Sequence, residues 1–445
     1  MLKEFFKLEE NNTTISREFI AGVMSFLSAA YILGVNGSMF SKGGMDPSAV
    51  IFATAIASCI ACILIGLISN FPAVLIPGMG LNAMFNYTII LSMGNSWETA
   101  VAAVFVSSVL FLLITVSGLT DTIINIIPPD LKIGIGSGIG LFLIFLGLQS
   151  SRLIVSDPFT LVSIGNLLTV PSLVVLLGIV INMIFYLQKV PSSIFLGLMI
   201  TLAFGLLCTF LGLGDGHYFM PSIPSQVISA NLDWSLFGGL LRGFGQLFSN
   251  IPNLIVMLFS LLFVTLFDTI GAVFSLSREA DLIDEEGKPN NAKRIFAGEA
   301  LGGIIGSIFG TSTMVVSVES AAGIGVGGRT GLTSLFAGIF FLISIFFTPL
   351  ILSLFTQVIT SPILIVVGFM ILSQLKDIDW HDNVTIISAL TTIFMMSFTS
   401  SIALGIALGF VTYSAATIAM GRYGELNLGM KLLSILFLIF LFFGL

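Results

Sequence analysis

The sequence predicts an all-α polytopic membrane protein of fourteen membrane-crossing segments, arranged as two inverted repeats of seven with short extended pieces in segments 3 and 10. Three observations predict it. The 445-residue chain is 56% hydrophobic and only 9% charged, against about 25% charged in an average soluble protein. Apolar windows of roughly 20 residues, the length a helix needs to cross a bilayer, recur from end to end. They are continuous rather than alternating apolar and polar, which excludes a closed barrel. Finally, the two halves carry matching interruptions.

Turn signals and charges place the segments near 18–40, 48–69, 74–93, 97–117, 132–150, 170–188 and 193–213, then near 250–277, 293–311, 314–327, 331–354, 359–375, 383–398 and 400–420. A last apolar stretch, "LGMKLLSILFLIFLFFGL" at 428–445, is left without an assigned placement. The N-terminal "MLKEFFKLEENNTTISRE" is polar and has no h-region, so no cleavable signal peptide is expected. With the N-terminus in the cytoplasm, only Lys42, Arg152 and Arg242 face the opposite side, leaving 13 of the 16 Lys and Arg, among them Lys132, Lys189 and Lys288, on the cytoplasmic side. That bias is the positive-inside rule, and it predicts a multi-pass protein of the cell membrane. The polar loop at 277–294 reads as a solvated cytoplasmic connection.

Other chemistry has little material. Cys59, Cys62 and Cys208 lie inside apolar runs and read as small hydrophobes. His217 and His381 fall in loops, which leaves almost nothing for a zinc site or a Ser-His pair. No metal or cofactor is expected. The net charge of −7 comes without a basic patch, so no nucleic-acid partner is implied.

Segment 7 includes "PSSIFLGLMITLAFG" from Pro191, and segment 14 "TSSIALGIALGFVTY" from Thr399, in register. An odd number of segments per half inserts the second copy upside down. Inverted repeats of this kind build alternating-access transporters, with the site at the midplane between repeats. Two segments are broken. In "FPAVLIPGMGLNAMFNY" (71–87), Pro72 and Pro77 interrupt the apolar run and Gly78 and Gly80 follow. In "GTSTMVVSVESAAGIGVGG" (310–328), Val315, Val316 and Val318 precede Glu319, and glycines follow. These are the third segments of each half. Each reads as a short extended piece followed by a half-helix, a backbone tolerated at membrane depth only where it is buried or lines a cavity. "GSGIG" and "GGIIG" elsewhere read as close helix packing.

Asp268 lies just past the middle of segment 8, and Glu319 at the break of segment 10. An Asp at a helix centre costs about 2.5–3.5 kcal/mol on insertion scales, so intramembrane carboxylates point to function. Proton uptake, or N–H groups of a ligand, would relieve the cost. Two acceptors facing a small cavity suit a planar ligand rich in N–H donors, held in a slot with aromatic faces. Phe26, Tyr31 and Phe85 are candidates for that slot, against ordinary packing as the simpler account. Glu18, Glu98 and Asp121 fall at segment ends and read as interfacial. Glu299, a few residues inside segment 9, is given no chemistry.

"PGMGLNAMFNYT", "PPDLKIGIGSGIGLFLIFLGLQ", "LFDTIG", "GTST" followed by "VESAAG", and "GGRTGLTSL" resemble the azaguanine-resistance-type purine permeases of the nucleobase cation symporter-2 (nucleobase-ascorbate transporter) group. The resemblance runs from about residue 13 to about residue 420. It implies a uracil-permease-type fold in which a core (segments 1–4 at 18–117 and 8–11 at 250–354) moves against a gate (segments 5–7 at 118–249 and 12–14 at 355–420). Residues 1–17 and 421–445 then flank the two domains. It further implies import of adenine, guanine or hypoxanthine with protons rather than sodium. Asp268 and Glu319 fall on the family's base-contacting acids and would also carry the proton. Amides near Gly80 and Ser320 would meet polar atoms of the base, and Asn82 and Ser317 would tune selectivity. This chain departs from the family at Thr265 and Glu299, where Asp is usual, at Ser317, where Tyr is common, and in "VNG" at 35–37, where "VNP" is typical. A homodimer is compatible with the reading. The rivals are an anion transporter of the same fold and an intramembrane enzyme.

Overall fold

The computed structural model describes residues 2–120, 126–188, 190, 193–213, 220–230, 232–284 and 289–443. Asp121, Lys189, Pro191, His217 and Lys288, which carry sequence assignments above, lie outside the described residues.

In chain order the elements are α1 (Ile15–Ala29), α2 (Tyr31–Ser41), α3 (Pro47–Ser69), β1 (Leu75–Pro77), α4 (Met79–Ala83, continued by wider turns to Ser92), α5 (Trp97–Ser117), α6 (Pro129–Ser150), β2 (Ile154–Asp157), β3 (Leu161–Ile164), α7 (Val170–Leu187) and α8 (Ser193–Phe210). They continue with α9 (Gly239–Leu247), α10 (Ile251–Glu279), α11 (Ala292–Phe309), β4 (Met314–Val316), α12 (Ala321–Gly325), α13 (Gly331–Ser344), α14 (Thr348–Leu354), α15 (Gln357–Leu372), α16 (Asn383–Phe398), α17 (Ile402–Ala419) and α18 (Leu428–Phe443). Among the described residues, ten helices are long and apolar enough to cross a membrane. The protein is a multi-pass helical membrane protein.

The other four expected segments depart from that standard for physical reasons. Segment 9 is the 18-residue helix α11, which carries Lys293, Arg294 and Glu299. Segment 13 is α16, only 16 residues long. Segments 3 and 10 are interrupted: β1 runs into α4, and β4 runs into α12.

Local chemistry sets the boundaries. Asp46 caps α3, accepting from the amides of Ser48 and Ala49, with Pro47 at the first helical position. Asn70 in the left-handed region (φ 54°) ends it. Ser96, Thr169, Asn250, Thr330 and Ser401 cap α5, α7, α10, α13 and α17 in the same manner.

The packing has a regular pattern. α3 packs on α13, and α11 packs on α5; α6 packs on α16, and α15 packs on α7. Likewise α7 pairs with α8, and α16 with α17. α3 meets α11, α6 meets α15, and β1 meets β4. In each case, replacing a segment by the one seven places along gives another observed pair or the same pair. Close approach is bought by small residues: a Cβ on Gly331 would sit 2.1 Å from the Gly66 carbonyl oxygen. The C-terminal α18 packs across α17 and α10, with Phe437 buried against Phe259 and Phe410.

Glu18, in the first turn of α1, is fully buried within the protein and accepts from the amides of Arg329, Thr330 and Thr333 and from the Thr333 hydroxyl. A carboxylate at the start of α13 meets the free amides and positive end of that helix.

Candidate functional site

The site begins with two three-residue strands. Extended Leu75-Ile76-Pro77 pairs antiparallel with Met314-Val315-Val316, in the register Leu75↔Val316, Ile76↔Val315 and Pro77↔Met314. Buried strands need every backbone donor satisfied. Ser317 N–H donates to the Val74 carbonyl at 3.0 Å, and Gly78 N–H to the Thr313 carbonyl at 3.3 Å. Val74 N–H donates to the Ser320 hydroxyl at 2.8 Å. Leu75 N–H donates to the Cys62 sulfur at 3.2 Å, so Cys62 is a hydrogen-bond partner and more than a small hydrophobe.

A buried ladder of polar side chains locks this pair to its neighbours. Asn82 Nδ2 donates to Asn36 Oδ1 (2.7 Å), Asn36 Nδ2 donates to Thr54 Oγ1 (3.3 Å), and the Thr54 and Thr311 hydroxyls lie 3.3 Å apart. The Ser312 hydroxyl donates to Asn82 Oδ1. Asn36 and Ser312 fall within the quoted "VNG" and "GTST" but were given no role from the sequence, and Thr54 went unnoticed, since isolated small polar residues in apolar runs carry no pattern.

One cavity of about 470 Å³ opens beside the strands. Asp268, Glu319, Gly80 and Ser317 all line it, as do Tyr31, Gly78 and Phe267. The opposite wall is formed by Lys132, Gly136 and Ile139 of α6, Ile194 of α8, and Val367, Met370 and Gln374 on and just beyond α15. The cavity thus lies between the two segment groups named above. It reaches the first turns of α6, the last turns of α10 and the end of α15. On the other side, Lys42 donates to the Tyr87 hydroxyl (3.2 Å) and to Ser150 (3.1 Å), and Ile402 N–H donates to Thr88 (3.1 Å). The Lys42–Ser150 and Ile402–Thr88 bonds join the same two groups away from the cavity.

The acids differ in their surroundings. Glu319 accepts from the Tyr31 hydroxyl at 2.5 Å and from the Ser317 hydroxyl. Asp268 faces the cavity, with no hydrogen-bond partner among the described residues. Gly78 allows the approach of the strand break, since a Cβ there would lie 3.2 Å from Asp268 Oδ2 and 2.7 Å from Val315 Cγ2. Glu299 is fully buried behind the strand and accepts from the Thr269 hydroxyl and from Val316 N–H at 3.2 Å. It fastens β4 to the helix turn that carries Asp268.

Several expectations need correction. Asn82 and Ser320 are fully buried and do not line the cavity; their side chains hold the strands. The Ser320 amide donates to the Ser317 carbonyl at 3.1 Å. Phe26 packs on Phe340 and Phe341, and Phe85 on Phe40, so neither forms the slot. Phe267, unremarked in the sequence, does line it. No group of His, Cys, Asp and Glu able to hold a metal occurs among the described residues.

Comparison with known proteins follows this geometry. The Permease family model Xan_ur_permease matches residues 16–408, nearly the whole described core of the chain. The chain belongs to the Xan_ur_permease family. Among its relatives in this family, the guanine/hypoxanthine permease PbuG of Bacillus subtilis is 35% identical, covering 99% of this chain and 100% of that protein. The adenine permease AdeP of Escherichia coli is 35% identical, covering 99% and 95%. The fold is shared more widely than the family. The transmembrane domain of the cyanobacterial bicarbonate transporter BicA superposes with TM-score 0.61 at 15% identity (89% and 97% covered). The structure of SLC26A9 superposes with TM-score 0.64 at 13% identity (92% and 67% covered).

Proposed function

We propose that this permease imports purine nucleobases by proton symport, with a core sliding against a gate. The observation that carries the reading is the placement of Asp268 and Glu319 on one cavity, between two interrupted segments that pair through β1 and β4. Both acids are acceptors and suit the N–H groups of a flat heterocycle; Tyr31 and Phe267 supply aromatic surface. Relatives over the full length are named for guanine, hypoxanthine and adenine. Asp268, without a hydrogen-bond partner among the described residues, is the better proton carrier. Glu319, already held by Tyr31 and Ser317, is the better anchor for the opposite edge of the base.

The fourteen-segment, twice-seven organisation is supported by the packing exchange described above and by the antiparallel pairing of the two broken segments. The core (segments 1–4 and 8–11) then carries the acids, and the gate (segments 5–7 and 12–14) carries the opposite wall. With the N-terminus cytoplasmic, the cavity faces inward, and the Lys42–Ser150 bridge closes the outer side. A proton taken up on Asp268 with the base removes one of the two negative charges before the core moves through the bilayer, which reduces the cost of carrying charge across it.

Counterflow of labelled hypoxanthine in proteoliposomes tests the proposal, with an acid-outside gradient expected to drive uptake. Absence of counterflow for every purine would overturn it. Anion transport is the second reading, favoured by the fold neighbours and by Lys132 in the cavity wall. Two carboxylates on the cavity oppose it; uptake of labelled bicarbonate or chloride in the same vesicles would decide for it.

A further inference from the structure

Lys132 is an unexplained cation. It sits one turn into α6, where the positive end of a helix disfavours it. It is half-buried, lines the cavity, and has no ion pair or side-chain hydrogen bond among the described residues. Its ammonium lies 6.0 Å from the ring centroid of Phe267, the residue before Asp268. One turn further along α6, a Cβ on Gly136 would sit 3.2 Å from Gln374 Oε1, so the Gln374 amide lies over the same helix face. Both face the same cavity as Asp268 and Glu319. One wall therefore offers acceptors, and the facing wall offers donors.

We propose that Lys132 is the gate-side donor that selects 6-oxopurines (hypoxanthine, guanine, xanthine) over adenine; the inference rests on the purine reading above. An ammonium has three donors and no acceptor. The 6-oxo group and N7 of an oxopurine form an acceptor edge that Lys matches, whereas adenine turns an N6 amino donor to the same place. With the acids holding the N–H edge from the core, the acceptor edge points to the gate. Adenine in that pose leaves the ammonium only N7 as an acceptor and opposes it with an N6 amino donor. Sites that depend on a buried hydrogen bond discriminate strongly against analogues that cannot make it. Gln374 can turn either its carbonyl or its amide to the base, so the choice falls to Lys132.

Equilibrium binding of hypoxanthine and of adenine to the purified full chain tests this. Wild type is expected to bind hypoxanthine about tenfold or more tightly than adenine. Lys132→Met and Lys132→Gln are expected to weaken hypoxanthine by about tenfold while changing adenine by less than about threefold, and Lys132→Arg to keep the preference. Retained adenine binding shows that the neutral variants fold. Equal weakening of both bases, unchanged preference, or a wild-type preference for adenine overturns the inference and leaves purine transport standing. Binding of neither base by wild type overturns both.

Discussion

The hydroxyl of Tyr31 donates to the carboxylate of Glu319 across 2.5 Å, tying the start of α2 to the break in the tenth segment. The aromatic residue that the sequence offered as a slot wall thus acts through its phenol. The bond fixes one acid of the site while leaving Asp268 free to meet a ligand.

Tyr31→Phe removes that donor and little else. A hydrogen bond to a charged group is worth about 1.5–3 kcal/mol, so purine affinity should fall by roughly tenfold or more while the fold persists. Binding titrations alongside thermal unfolding check both halves. A variant with unchanged affinity would separate Tyr31 from the site.

Glu299 should behave as a structural acid. Glu299→Ala leaves the Val316 N–H buried without its acceptor, a loss of about 1–3 kcal/mol. Glu299→Gln keeps an acceptor and should lose less. Thermal unfolding in detergent should rank wild type above Gln above Ala, with purine binding failing in the Ala variant as β4 shifts.

Two glycines make opposite predictions. Gly331→Ala forces a Cβ to 2.1 Å from the Gly66 carbonyl, backbone that cannot step aside. Overpacking of this kind costs about 1–3 kcal/mol and should lower the melting temperature. Gly271 lines the cavity, and a Cβ there meets nothing within 4 Å. Gly271→Ala should melt no lower than wild type.

Asp46 predicts a pH dependence. Burial pushes its carboxyl up, but the Ser48 hydroxyl and the Ala49 and Ser48 amides outweigh that and hold it below its ordinary value. A lowered carboxyl stabilises the fold above its unfolded pKa, and the contribution fades as pH falls through the folded value. The window therefore lies below about pH 4. Asp46→Ala should cost about 1 kcal/mol at neutral pH. Asp46→Asn should keep the cap and lose the acid-side slope, read from melting temperatures between neutral and acidic buffer.

Much of this architecture was legible because lipid imposes it. Continuous apolar runs announced helices, and Pro72, Pro77 and the valines at 315, 316 and 318 announced the interruptions. Asp268 and Glu319 stood out because carboxylates in such runs are costly. What stayed hidden depends on which way a helix faces. A helix that is apolar all round gives no period, so Phe26 and Phe85 could not be told from Phe267, nor Asn82 from a cavity residue. Glu18 finds its partners more than three hundred residues away, at the start of α13. Lys132 counted as a cytoplasmic charge, and only the approach of α6 to α10 and α15 turns it into part of a wall.

The most direct measurement is a binding panel on the purified protein, with purines and pyrimidines titrated against wild type, Asp268→Asn and Glu319→Gln. The account predicts that wild type binds a purine, that pyrimidines bind much more weakly, and that each neutralised variant loses purine affinity by tenfold or more, about 1.4 kcal/mol. Undiminished purine affinity in both variants would contradict it.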